Sequence, residues 1–196
     1  MKPFSDRLAH AVRAAGGSPL CVGLDHHRDH LPPAVLEGRK PTARGEAAAA
    51  EAFAEGVIGA TAPVAVALKV NVAFYERLGV AGMRAYARAL KAARKAKLLV
   101  IADVKRGDIG STAQAYAEAH LGKTDFHADA VTLNPMLGED SLEPFLARAA
   151  QDGAGLFILV RTSNPGGPGM QGDLDDPNAL SWRLADRVRT WGEKAP

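Results

Sequence analysis

Hydrophobic positions change their period several times along this chain. Phe4, Leu8, Ala11 and Val12 recur at helical spacing and Gly16-Gly17 ends the run, which predicts a helix over 4–15. Leu20-Cys21-Val22-Gly23-Leu24-Asp25 then reads as a short buried strand finishing in a carboxylate. The stretch 26–45, with Pro32-Pro33 and Pro41, reads as loop. An alanine-rich helix is predicted over 47–59 and a strand over 64–70. The clearest helix covers 81–97: Met83, Tyr86, Ala87, Leu90 and Ala93 share one face, and arginines and lysines the other. Further strands are predicted at 98–103, 130–133 and 156–160, with helices over 111–120, 141–150 and 177–191. A long Gly/Pro loop precedes the last helix.

The predicted strands are near-continuous apolar runs, as expected of parallel strands covered on both faces. Strands alternating with helices define a parallel α/β fold, either an open doubly wound sheet or a (β/α) barrel. Polar residues gather at the strands' carboxyl ends (Asp25, Lys69, Asp103, Asn134 and Arg161), where either layout carries its active site. Five βα units are visible, against the eight of a complete barrel of about 250 residues.

Composition narrows the classes. Of 196 residues, 47% are hydrophobic and 23% charged, which fits a globular chain of one domain over 1–196. No apolar run reaches the roughly 18 residues of a membrane span, and the first residues lack the apolar core of a secretory signal. Cys21 is the only cysteine, which suits a reducing cytoplasm. A net charge of +2 supplies no whole-chain attraction to nucleic acid or anionic lipid.

The chemistry concentrates in Asp103-Val104-Lys105-Arg106-Gly107-Asp108-Ile109-Gly110-Ser111-Thr112. At a strand end, residues i and i+2 point the same way, so Asp103 and Lys105 are expected to project together, with Asp108 following at the turn into a helix. A lysine between carboxylates stays protonated and can serve as a general acid towards a carbanion. The same carboxylates repel a substrate carboxylate, by about 4 kcal/mol at 4 Å and an effective dielectric of 20.

That stretch, with its D-x-K-x-x-D core, closely resembles the signature of the orotidine 5′-monophosphate decarboxylases. Gly23-Leu24-Asp25, Leu68-Lys69-Val70-Asn71 with Ala73-Phe74-Tyr75-Glu76, Val131-Thr132-Leu133-Asn134-Pro135 and Val160-Arg161-Thr162-Ser163-Asn164-Pro165 resemble, in order, other strand ends of the family's longer bacterial subgroup. The resemblance implies a TIM (β/α)8 barrel, of which this chain holds the amino-terminal five units. It implies Lys105 as the proton donor to C6 of the pyrimidine, flanked by Asp103 and Asp108, with Lys69 completing the charge network and touching the ribose. Asp25 would bind a ribose hydroxyl, and Thr162 and Ser163 the pyrimidine edge. Asp108, Ile109 and Thr112 would reach into a partner subunit's site, which implies a homodimer. Neither metal nor organic cofactor is implied. The family's phosphate grip comes from the seventh and eighth strands, so the chain reads as carboxyl-terminally truncated.

Other readings of the same residues stay open. The Asp103/Lys105/Asp108 group can be a structural ion-pair network, Asp25 a cap, Lys69 a snorkelling side chain, and Thr162 and Ser163 turn formers. His26-His27-Arg28-Asp29-His30 offers metal-binding residue types without a fixed scaffold. The glycine-rich stretch 164–172 lacks P-loop spacing and reads as a flexible loop. The basic face of Arg84, Arg88, Lys91, Arg94, Lys95 and Lys97 reads as a solvated outer helix rather than a nucleic-acid surface. Cys21 reads as inert strand packing. Rival functions are a magnesium-dependent sugar-phosphate decarboxylase or aldolase sharing D-x-K-x-x-D, and a non-catalytic remnant.

Overall fold

Helix α1 (Phe4–Ala14) leads into strand β1 (Cys21–Leu24), and a 3-10 turn (Arg28–His30) and the short α2 (Pro33–Leu36) connect it to α3 (Ala43–Thr61). There follow β2 (Ala67–Asn71), α4 (Ala73–Glu76), α5 (Gly79–Lys95), β3 (Leu99–Arg106), α6 (Gly110–Leu121) and β4 (Ala130–Leu133). The order closes with α7 (Glu139–Asp152), β5 (Gly155–Ile158), α8 (Gly167–Gln171) and α9 (Leu180–Lys194). This structure, a computed structural model, describes residues 2–194.

The five strands are parallel and lie in the order β1-β2-β3-β4-β5. A doubly wound sheet reverses its strand order at a switch point. Here each strand is added beside the last, which is the order of a (β/α) barrel, and the two layouts open from sequence are thereby resolved.

The sheet's two faces differ. Leu24, Val70, Ala102 and Val131 sit in register and turn outward into a core with Ala50, Ala54, Tyr86, Leu90, Ala117 and Phe145 of the helices. The opposite face carries Ala67, Ile101 and Ala130, and α1 covers it through Phe4, Leu8, Ala11 and Val12. Arg7 fastens that helix by an ion pair to Asp129 and a 3.1 Å hydrogen bond to the Gly153 carbonyl. Glycine at 155 makes the seat possible, because a Cβ there would lie 2.6 Å from the Phe4 ring. One end of the inner face is therefore apolar and plugged, and the other is left to polar residues.

Both-face coverage, expected of every strand, holds for β2, β3 and β4 and fails at the sheet edges. Cys21 of β1 is exposed rather than packed, and Phe157 of β5 is 43% exposed. The stretch 26–45 is more ordered than its prolines indicate. Thr42 accepts the Gly45 amide at 3.2 Å as a side-chain cap, so α3 starts four residues earlier than the alanine run. Gly45 lies inside that first turn because the Lys40 carbonyl approaches within 2.1 Å of where a Cβ would stand. Among the described residues no helix is long and apolar enough to cross a membrane.

Candidate active site

The polar end of the inner face is built by β1, β2 and β3. Asp103 is the hub: its side chain is 6% exposed, and Lys69 Nζ donates to Oδ2 at 2.7 Å while Lys105 Nζ donates to Oδ1 at 2.5 Å. Lys69 also lies 3.9 Å from the Asp25 carboxylate. Burial works against the Asp103 charge, yet hydrogen bonds from Lys105, Lys69 and Thr132 outweigh it and hold the carboxyl below its ordinary range. Two lysines and two aspartates thus form a neutral cluster with its carboxylate hub inside and its ammonium groups facing out.

The expectation that Asp103 and Lys105 project together as i and i+2 of a plain strand reaches the right contact by another route. Strand β3 runs on to Arg106, and the register to β4 shifts: Ala102 pairs with Val131 and Arg106 with Leu133, four steps against two. Lys105 adopts φ of 45° in this bulge, a left-handed conformation unusual for a side chain of its size. The amides freed from the ladder go to Thr132, whose Oγ1 accepts Val104 N at 3.0 Å and Lys105 N at 2.9 Å. The same hydroxyl donates to Asp103 Oδ1 at 3.0 Å. Thr132 lies in one of the strand ends that carry the resemblance, but the sequence gives it no role of its own. Its signal is a single hydroxyl within the otherwise apolar run 130–133 of a buried strand.

The remaining candidates lie outside this cluster. Asp108 does not flank Lys105 within the chain; its Oδ1 accepts the Ile109 amide at 2.8 Å, and among the described residues it has no ion pair. Asp103 therefore lies between two lysines, where a lysine between two aspartates was expected. Ile109 (57% exposed) and Thr112 face solvent at the start of α6. Thr162 closes on its own loop: Oγ1 donates to Asn164 Oδ1 at 2.6 Å and accepts from Gln171 Nε2 at 2.8 Å. Ser163 is exposed. Arg161 donates to the Gly172 carbonyl at 2.5 Å, so the glycine-rich stretch is ordered about α8.

The histidine run does not converge on a shared point. His26 is buried against Tyr75, with ring centroids 4.5 Å apart, whereas His27 stands 3.8 Å from Asp29 at the surface. Chemically, the Asp103 cluster offers two partly hydrated ammonium groups, able to bind an anionic or hydroxylated ligand and to deliver a proton.

The chain as a whole is similar to known proteins. A 39% identical relative over 190 residues, covering 96% of this chain and 63% of its own length, is the orotidine 5′-phosphate decarboxylase of Clostridium kluyveri. That of Rhodopirellula baltica is 43% identical over 197 residues, covering 96% and 64%. The chain thus spans just under two thirds of these curated relatives. Among solved structures, Leishmania donovani OMP decarboxylase superposes with a TM-score of 0.78 at 33% identity over 98% of this chain and 67% of that one. A Streptomyces avermitilis structure reaches 0.81 at 35%, over 97% and 64%. Those neighbours are TIM barrels, of which the five βα units here form the corresponding part. The family profile described as orotidine 5′-phosphate decarboxylase / HUMPS matches residues 18–192, from the approach to β1 into the last turn of α9, and so takes in the whole Asp103 cluster: the chain belongs to that family.

Proposed function

We propose that the protein decarboxylates orotidine 5′-monophosphate to uridine 5′-monophosphate and carbon dioxide, in the cytoplasm and as a homodimer. The observation that carries this reading is the Lys105 ammonium, held on a buried carboxylate at the mouth of the barrel strands. In the reaction the bond from C6 to its carboxylate breaks, carbon dioxide leaves, and the electron pair stays on C6. Lys105 Nζ then gives its proton to C6 and is left as a neutral amine, reprotonated from solvent. Fixed charges set before the substrate arrives need no reorganisation as the carbanion forms. Asp103 adds repulsion towards the substrate carboxylate, although Lys69 and Lys105 already balance much of its charge.

Lys69 and Asp25 take the ribose in this reading, Thr162 and Ser163 the pyrimidine edge, and no metal or organic cofactor takes part. Asp108, Ile109 and Thr112 belong to the partner's site, which fits the outward placement of Ile109 and Thr112 and the lack of an ion pair at Asp108 among the described residues. The phosphate is gripped by barrel units other than these five.

The test is turnover of orotidine 5′-monophosphate, followed by carbon dioxide release with and without a chelator. Activity that survives chelation and vanishes in a folded Lys105→Ala variant supports the proposal; wild-type turnover in that variant overturns it. Mixing Lys105→Ala with Asp108→Asn chains separates the partner role, since only a shared site regains activity in the mixture.

A further inference from the structure

We infer that Thr132 is a positioning residue, the group that sets the Lys105 backbone and the Asp103 carboxylate in one geometry; the inference rests on the proposed proton transfer from Lys105. A hydroxyl offers one proton and two lone pairs. Thr132 uses all of them on three consecutive residues of β3: its lone pairs take the Val104 and Lys105 amides and its proton goes to Asp103 Oδ1. Its side chain is the bridge across the point where four steps on β3 face two on β4. An apolar residue there would take this partner from both amides, that of Val104 in a buried position and that of Lys105 in a part-buried one.

The arrangement also fixes a choice at Asp103. Oδ1 receives Lys105 Nζ and Thr132 Oγ1 together, while Oδ2 receives Lys69. Thr132 thereby holds the carboxylate plane so that Lys105 and Lys69 are separated onto its two oxygens. The left-handed φ of Lys105 is maintained by the amide bond to the same hydroxyl, so one side chain governs where the ammonium begins and what it leans on. Displacements of a few tenths of an ångström at such a group reach the rate, since catalysis depends on near-attack geometry.

Thr132→Val keeps the shape and removes the hydroxyl, and Thr132→Ser keeps the hydroxyl. Three readouts are taken: the carboxyl titration of Asp103 by 13C NMR, hydrogen exchange at the Val104 and Lys105 amides, and kcat and KM for orotidine 5′-monophosphate. In Thr132→Val the acid dissociation constant of Asp103 is expected to fall by about tenfold, as a hydrogen bond to a charged acceptor is lost. Both amides exchange faster, and kcat drops by one to two powers of ten, on the order expected for a misplaced catalytic group, while KM moves by no more than about threefold. Thr132→Ser restores all three. Should Thr132→Val fail to fold, Thr132→Ala, which admits water to the two amides, carries the same expectations. An unchanged Asp103 titration and unchanged amide exchange overturn the inference, as does a rise in KM at constant kcat. If the wild-type protein turns over no orotidine 5′-monophosphate, the functional proposal fails by itself, and the two NMR readouts still decide whether Thr132 holds Asp103 and Lys105.

Discussion

Lys69 and Lys105 hold opposite oxygens of one carboxylate, Oδ2 and Oδ1 of Asp103, and so share a counter-ion without meeting each other. Their side chains are 34% and 49% exposed, against 6% for the aspartate, so the buried partner depends most on the pairing. Asp103→Asn keeps the volume and removes the charge that both ammonium groups face. Breaking a fully buried pair costs 3–5 kcal/mol, but these lysines keep part of their hydration. The expected loss is about 2 kcal/mol in urea unfolding, seen as a lower midpoint at unchanged slope. A variant as stable as wild type shows that the cluster contributes nothing net to the fold.

Lys105 separates function from backbone strain. Its φ of 45° is a conformation that L-residues adopt at a cost of roughly 1–2 kcal/mol and glycine adopts freely. Lys105→Ala and Lys105→Gly both remove the ammonium group, and both are expected to be inactive. They should differ in stability, with the glycine variant firmer by about 1 kcal/mol despite glycine's larger unfolded-state entropy. Equal stabilities, measured by chemical denaturation, would mean that the bulge relaxes once the lysine is gone.

How far the sequence leads can be judged at this same bulge. The alternation of strands and helices is legible because each element has its own hydrophobic period, and the order of carboxylates and lysines at strand ends locates Asp25, Lys69, Asp103 and Lys105. The bulge itself leaves no trace in periodicity, because it is a register shift between two strands and belongs to neither alone. Thr132 matters through three hydrogen bonds to residues 27 to 29 positions away, which no local pattern encodes. Likewise Gly45 reads as a loop marker until Lys40 is seen folded against it. Edge exposure at Cys21 and Phe157 is equally invisible, since an apolar strand reads the same whether both neighbours are present or one.

The plugged end of the sheet gives a prediction independent of chemistry. A methyl group at Gly155 would come within 2.6 Å of the Phe4 ring and 2.9 Å of the Ala130 side chain. Gly155→Ala must therefore push α1 off β5, an overpacking expected to destabilise by about 1–3 kcal/mol. Phe4→Leu removes the ring that clashes and loses its own edge contact with Phe157. The double variant should lose less than the sum of the two single changes, because the sites touch. Strict additivity in a double-mutant cycle would deny that Phe4 is what the glycine accommodates.

Acid sensitivity should come from two histidines outside the proposed chemistry. His26 and His120 are each 4% exposed, and neither ring nitrogen of His26 has a hydrogen-bond partner among the described residues. Burial, then Arg77, pushes His26 down to about 4 against the opposing pull of Asp25; burial, then Arg106, does the same to His120 against Glu76. The unfolded chain takes up a proton at each near pH 6.5. Between about 6.5 and 4 the unfolded state therefore binds more protons than the native state, so stability rises with pH across that window and is lost on acidification. Above it these groups contribute no slope, and below it both states are protonated and the slope ends. The loss is at most about 3 kcal/mol per histidine. Asp103, whose carboxyl is held below its ordinary range, adds its own loss from about pH 5 downwards, as the unfolded carboxyl begins to protonate, and so overlaps the lower part of that window. His26→Leu removes one titrating group without breaking a hydrogen bond, so its stability at pH 7 should stay within about 1 kcal/mol of wild type while its decline between pH 7 and 4.5 becomes shallower. Parallel pH profiles for the two proteins, measured by urea unfolding at each pH, would show that His26 opens to water before it titrates and that the acid sensitivity arises elsewhere.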